Sequence, residues 1–242
     1  MAPLSSTIPS VSSVFNPRYI LDGFPPNLDI TSRDGIHFHV HAHRLLAASA
    51  NAFGGLPLQT RHAITLPEPA VVLNIVFHIM YGMSILPHMP PLESTEAALD
   101  ALIKYGLPIS QLAAAPTFPL YDLLRSYAPY YPIEAYAVVA HHRLENLAVV
   151  ISSHLLAYDV ARISDELCVK MGPIYFKRLI SLQRSRIEAL RNIVLRPPAM
   201  HPVTVICNAE NQQELTRAWA FANAAMVWNA LPSTCLRFLP VC

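Results

Sequence analysis

The sequence predicts an α+β fold: a short hairpin and one further strand near the N-terminus, then helices to the end. Three observations carry this. Around Asp34-Gly35, residues 28–41 alternate apolar and polar side chains, and Asp-Gly favours the tight turn of a hairpin. From residue 67 onward apolar residues recur at helical spacing. Finally, 22 prolines stand against 7 glycines. Proline suits the first turn of a helix and breaks its interior, so many short helices with abrupt ends are expected.

The elements follow in order. Leu28–Thr31 and Ile36–His41 form the hairpin strands. In the second, Ile36, Phe38 and Val40 share one face while His37, His39 and His41 share the other, so one face meets a core and the other is polar. His43–Phe53 is expected as one helix, stopped by Gly54-Gly55, and Ala63–Leu66 as a short third strand. Pro67 and Pro69 introduce a helix over Ala70–Tyr81 that is apolar around its whole circumference and therefore central. Gly82 follows it as a C-terminal glycine. Ser94 is expected to cap a helix that ends at Gly106, with Leu99, Leu102 and Ile103 as its apolar stripe.

Beyond residue 115 only helices are expected. These are Leu120–Ser126, a helix from Pro132 to Leu144, and its antiparallel partner Glu145–Ala157. A longer helix starts at Pro173 and ends before Pro197-Pro198, with Phe176, Ile180, Ile187, Leu190 and Val194 on one side. The last helix spans Glu210–Leu231 and holds Trp219 and Trp228. Nine residues make about two and a half turns, so the two rings face opposite ways.

Composition narrows the function classes. Apolar residues make up 53% of the chain and charged residues 14%, against about 25% charged in an average domain. A net charge of +1 provides no global field to recruit nucleic acid or an acidic membrane. The four cysteines (Cys168, Cys207, Cys235, Cys242) fall singly and are read as reduced thiols, without the spacing of a zinc site or a disulfide framework. Residues 1–27 lack a basic and apolar leader pattern and are expected as a mobile polar tail. Pro69–Leu92 and Ala218–Leu236 are uncharged and long enough to span a bilayer. They carry Asn74, His78, Asn223 and Asn229 and no flanking basic cluster, so they are read as buried helices. The expected location is cytoplasmic or nuclear. The Cys235-x6-Cys242 ending, with no element after it, suggests a chain cut short.

Chemistry is suggested at one place. His37, His39, His41 and His43 follow the H-x-H spacing that lets strand histidines converge on a metal. The alternative function is therefore a metal-dependent hydrolase using His37, His39 and His41. Such sites need further ligands from later strands, which this chain lacks after about residue 66. The preferred reading is a polar strand face. His141-His142 is read as a mid-helix pair, packed or solvated. No nucleophile elbow, phosphate loop or dinucleotide fingerprint occurs, and no cofactor is expected. Seven basic residues between Lys170 and Arg196 face a single acid there, Glu188. They spread around the helix, as on a solvated face or one paired with acids elsewhere.

The ordered set Asp29, Gly35, His41, Leu45, Ser49 and Phe53 resembles the opening of a BTB/POZ domain. That family shows a strand Asp, a Gly, a strand ending in His, and a helix patterned H-x3-L-x3-S with a nearby Phe; the resemblance makes His41 a structural histidine at the strand–helix junction. Leu66-Pro67-Glu68 and Lys104-Tyr105-Gly106 also look like it. Tyr136-Ala137-x2-Ala140-x3-Leu144-x2-Leu147-Ala148 is similar to the helical part of a group of BTB-domain proteins from mushroom-type fungi. The resemblance implies a BTB/POZ-like domain over 28–115, a BACK-like helical extension over 116–231, and a tail over 232–242. It further implies a homodimer that acts as a scaffold or adaptor. Some relatives serve a cullin-type ubiquitin ligase, which comes to this chain by analogy only. Phe53 departs from the pattern: it lies four residues after Ser49 where the family has three. At about 100° per helical residue, it is expected to miss the family's pocket.

Overall fold

The computed structural model describes residues 10–58, 63–197 and 199–228. It is an α+β structure with a small mixed sheet and many helices. The sheet holds β1 (Leu28–Thr31), β2 (His37–Val40) and β3 (Ile64–Thr65) in the order β2-β1-β3. β1 and β2 pair antiparallel, with Asp29 opposite His39, and β3 runs parallel to β1 with Ile64 opposite Ile30. Gly35 takes φ +82° in the connecting turn, a conformation that costs glycine little. Ser32 closes this turn by accepting the Ile36 N–H at 2.9 Å.

Helices α1 (Ala42–Ala48), α2 (Ala52–Gly55), α3 (Ala70–Met80), α4 (Leu92–Lys104), α5 (Ile109–Leu112) and α6 (Pro119–Ser126) complete the first half. α3 is buried from Val72 to Met80 apart from Asn74, as its all-round apolar sequence predicts. Its N-cap residue, Pro69, offers no side-chain acceptor. Asp34 supplies one from the hairpin turn, accepting the Ala70 N–H at 2.8 Å. The helix expected over His43–Phe53 is broken: α1 ends at Ala48 and Ser49 is extended. α4 begins at Leu92, two residues before Ser94, because Pro91 in an extended conformation already sets its start. Leu99 and Leu102 are buried as expected, whereas Ile103 is 50% exposed.

The second half consists of α7 (Pro132–His141), α8 (Glu145–Ser152), α9 (Asp165–Val194) and α10 (Ala209–Trp228). α7 is buried from Ala135 to Ala140 and packs against both α8 and α9. Pro173 does open a helical segment, but a preceding helical stretch of about two turns, Asp165–Met171, joins it through Gly172 at φ +75°. The buried residues of α9 are Met171, Tyr175, Leu179, Gln183 and Val194; of the expected stripe Val194 is buried, Phe176, Ile187 and Leu190 are half-buried and Ile180 is exposed. Gln183 is tolerated there because its amide donates to the carbonyls of Leu155 and Tyr158 at 3.0 and 2.8 Å. Trp219 is half-buried on α10. The side chain of Trp228, Leu231 and the 232–242 tail lie outside the described residues.

The reading of the N-terminal segment is corrected. The tail expected over 1–27 is, from Ser10 onward, part of the fold. Residues 10–15 lie along the free edge of β2, through His37 N–H to Ser10 O at 2.8 Å and His39 N–H to Phe15 O at 2.9 Å. This covers an otherwise open strand edge. The Phe15 ring is fully buried, with Phe77, Tyr81 and His78 centroids 5.2–5.6 Å away. The apolar core is also continuous across residue 115, running from Phe15 to Leu179.

No described helix is long and apolar enough to cross a membrane. Cys168 and Cys207 are free thiols.

Candidate functional site

His37, His39 and His41 each have separate partners. His39 pairs with the Asp29 carboxylate across the strands, and His37 Nδ1 lies 3.3 Å from Thr31 Oγ1. His41, at the junction of strand and helix, is fully buried. Phe24 and Tyr81 cover the sheet at that end and enclose the ring. Among the described residues no three His, Cys, Asp or Glu groups gather as a metal would need. His43 is exposed on α1.

His41 is the hub of a junction between sheet and helix. With its proton on Nε2, the ring donates to Phe24 O at 3.0 Å and accepts the Tyr81 hydroxyl at Nδ1 at 2.9 Å. The Tyr81 oxygen in turn accepts the His41 backbone N–H at 2.8 Å. Every polar atom of the pair is thereby satisfied within the core. Burial pushes the Tyr81 hydroxyl up to about 12. Asn27 Oδ1 accepts the Ala42 N–H at 2.9 Å, serving the start of α1 in place of His41, whose side chain gives no cap. Leu45, one turn on, is fully buried.

A second junction forms around Ser49. Its hydroxyl donates to Tyr105 O at 2.6 Å and accepts the N–H groups of Phe53 at 2.7 Å and Asn51 at 3.2 Å. Asn51 accepts the Gly54 N–H at 2.8 Å and donates to Lys104 O at 3.0 Å. Phe53 takes φ +54° and is fully buried, stacked on Tyr105 with centroids 4.3 Å apart and planes 9° from parallel. The chain between Ser49 and Phe53 is not helical, so the rotation expected from helical spacing does not apply to Phe53.

Beyond this stack, Tyr105 Oη donates to Glu68 Oε2 at 2.5 Å and Lys104 Nζ to Glu68 Oε1 at 2.6 Å. Burial would raise the Glu68 carboxyl, but these two donors outweigh it and hold it below its usual range. Burial, together with Glu68, drives the Tyr105 hydroxyl far above its usual value.

The six motif positions thus divide among an outward-facing pair, the hairpin turn and two buried junctions. Asp29 faces outward with His39, Gly35 shapes the turn, and His41, Leu45, Ser49 and Phe53 fix the sheet and α1 onto α3 and α4. Tyr81, Asn51 and Asn27 complete these junctions and were not singled out from sequence. Nothing local marks them, since their tertiary partners lie 15 to 53 residues away.

His141 and His142 lie at the end of α7, not in its middle. His141 is exposed, while the His142 side chain is 3% exposed with Nε2 3.8 Å from the Asp100 carboxylate. Of the basic residues on α9, three are paired: Lys170 with Glu96, Arg178 with Glu145 and Arg184 with Glu188.

Fold and site together define a class: an α+β half with a three-stranded mixed sheet, carried on a helical half. No family model, curated protein or solved structure matches this chain.

Proposed function

We propose that the chain is a protein-interaction module: a self-associating scaffold or adaptor with a BTB/POZ-like half and a helical extension. The observation that carries this is the use made of the motif residues. His41, Leu45, Ser49 and Phe53 are all spent on holding two neighbouring junctions, at the two ends of α1, rigid, as a binding platform requires. Beside the His41 junction the covering segment leaves Val11, Ile20 and Phe24 exposed, at 41%, 63% and 64%. This is the apolar surface through which two copies would meet.

Light scattering on the full chain over a concentration series tests the reading. The expected result is a mass rising from 26.8 kDa to twice that value, and reverting when Phe24→Glu and Ile20→Asp are introduced together. A mass that stays at 26.8 kDa up to the highest soluble concentration refutes self-association. The whole chain is required, because Phe15 belongs to the core and a fragment starting later would lose it.

A further inference from the structure

At the seam between the two halves lies a cleft of about 500 Å³. One wall is the Met89–Pro91 turn with the first turns of α4. The other is the α6–α7 connection with α7, and α9 closes one end. Its floor is chemically satisfied: the Tyr127 hydroxyl donates to Pro90 O at 2.6 Å and meets Thr95 Oγ1 at 2.7 Å. The floor fixes the shape and leaves no free polar group.

The walls differ. Glu93, Glu96 and Glu134 line them, with Lys170 as the one cation of the lining. Lys170 Nζ is held by Glu96 at 2.8 Å, so two carboxylates have no ion-pair partner among the described residues. Both Glu93 and Glu134 sit in first helical turns, where acidic side chains are favoured in general. That placement does not account for the cleft they share with Tyr130 and Tyr131, which are 74% and 55% exposed.

Unpaired carboxylates beside open aromatic faces match one side chain best. A guanidinium is planar, stacks on tyrosine and donates in a fork that fits a carboxylate. We propose that this cleft accepts an arginine side chain from a protein partner, stacked on the rim tyrosines and held by Glu93 and Glu134. The proposal deepens the interaction-module reading and rests on it. A negative lining disfavours nucleic acid and acidic lipid at this place.

The test uses the full chain and two fluorescein-labelled peptides with the cores Ser-Gly-Arg-Gly-Ser and Ser-Gly-citrulline-Gly-Ser, titrated by fluorescence anisotropy at low salt. Citrulline keeps the shape and removes the charge. The arginine peptide is expected to bind about tenfold more tightly. Glu134→Gln and Tyr131→Ala should each weaken it by roughly threefold or more. Lys170→Met should tighten it, because it frees Glu96 and removes a competing cation; a variant that merely destabilised the fold would move the other way. Equal binding of the two peptides overturns the proposal. So does unchanged binding by Glu134→Gln with an unaltered circular dichroism spectrum, or weaker binding by Lys170→Met. Light scattering separates the two readings: a monomer that still prefers arginine keeps the cleft and loses self-association, whereas a dimer indifferent to arginine does the reverse.

Discussion

The Tyr81 hydroxyl bonds to His41 twice, accepting its backbone N–H at 2.8 Å and donating to its ring Nδ1 at 2.9 Å. The two residues are 40 positions apart, and together they lock the end of β2 to the end of α3. Removing either leaves the other's polar atoms without partners in a place water does not reach, the costly way to lose a hydrogen bond.

Tyr81→Phe is therefore expected to lower stability by about 1–3 kcal/mol, read as a fall in the denaturant midpoint with unchanged m-value. Its pH dependence is the more specific signature. The folded hydroxyl titrates at about 12 against an ordinary value of 10.0. The folded state thus prefers the neutral phenol, and stability present below pH 10 is lost as pH rises toward 12. The wild type should lose stability steeply across that window and Tyr81→Phe less steeply. Parallel curves would show that the phenol is not held as described.

Gly106 is expected to be irreplaceable for a steric reason. It takes φ +76°, and a Cβ there would stand 2.9 Å from the Asn51 backbone nitrogen and closer still to its side-chain amide. Gly106→Ala should cost upwards of about 1–2 kcal/mol from the left-handed conformation alone, with the clash added. Ser49→Ala should cost about 1–3 kcal/mol by orphaning Tyr105 O and the Phe53 N–H. Both act on the same junction, so the double variant should lose less than the two losses added. Strict additivity in a thermal or denaturant series would mean that the Ser49 and Gly106 sites are not coupled.

Much of the first half was legible because its signals are local. Alternation around Asp34-Gly35 places β1 and β2, and prolines mark the starts of α3, α6 and α7. What was not legible depends on distant partners. Residues 10–24 have no periodicity of their own, so the burial of Phe15 follows only from the edge of β2 they cover. Alternation assigns His41 to a polar face, whereas Phe24 and Tyr81 decide its burial. On α9 the apolar residues surround the helix, and the carbonyls of Leu155 and Tyr158 select the side that holds Gln183. The seam cleft was invisible for the same reason: Glu93, Glu134 and Lys170 meet only through the packing of α4, α7 and α9.

Mild acid should weaken the protein through two buried histidines. The ordinary imidazole value is 6.5, and both His142 and His78 lie below it in the fold because burial disfavours the charged ring. For His142 the Asp100 carboxylate 3.8 Å away opposes this without cancelling it. The unfolded chain binds protons first, so stability is complete above pH 6.5 and falls as pH drops below that value. Denaturant midpoints measured between pH 7.5 and pH 5 should decline in the wild type and less in His142→Gln, with the remainder removed by adding His78→Gln. Staying above pH 5 keeps Glu68 out of the window: its depressed carboxyl loses stability only below its ordinary value of 4.5. If the single variant declines as steeply as the wild type, His142 is reached by solvent in the folded chain and its burial at the end of α7 is wrong.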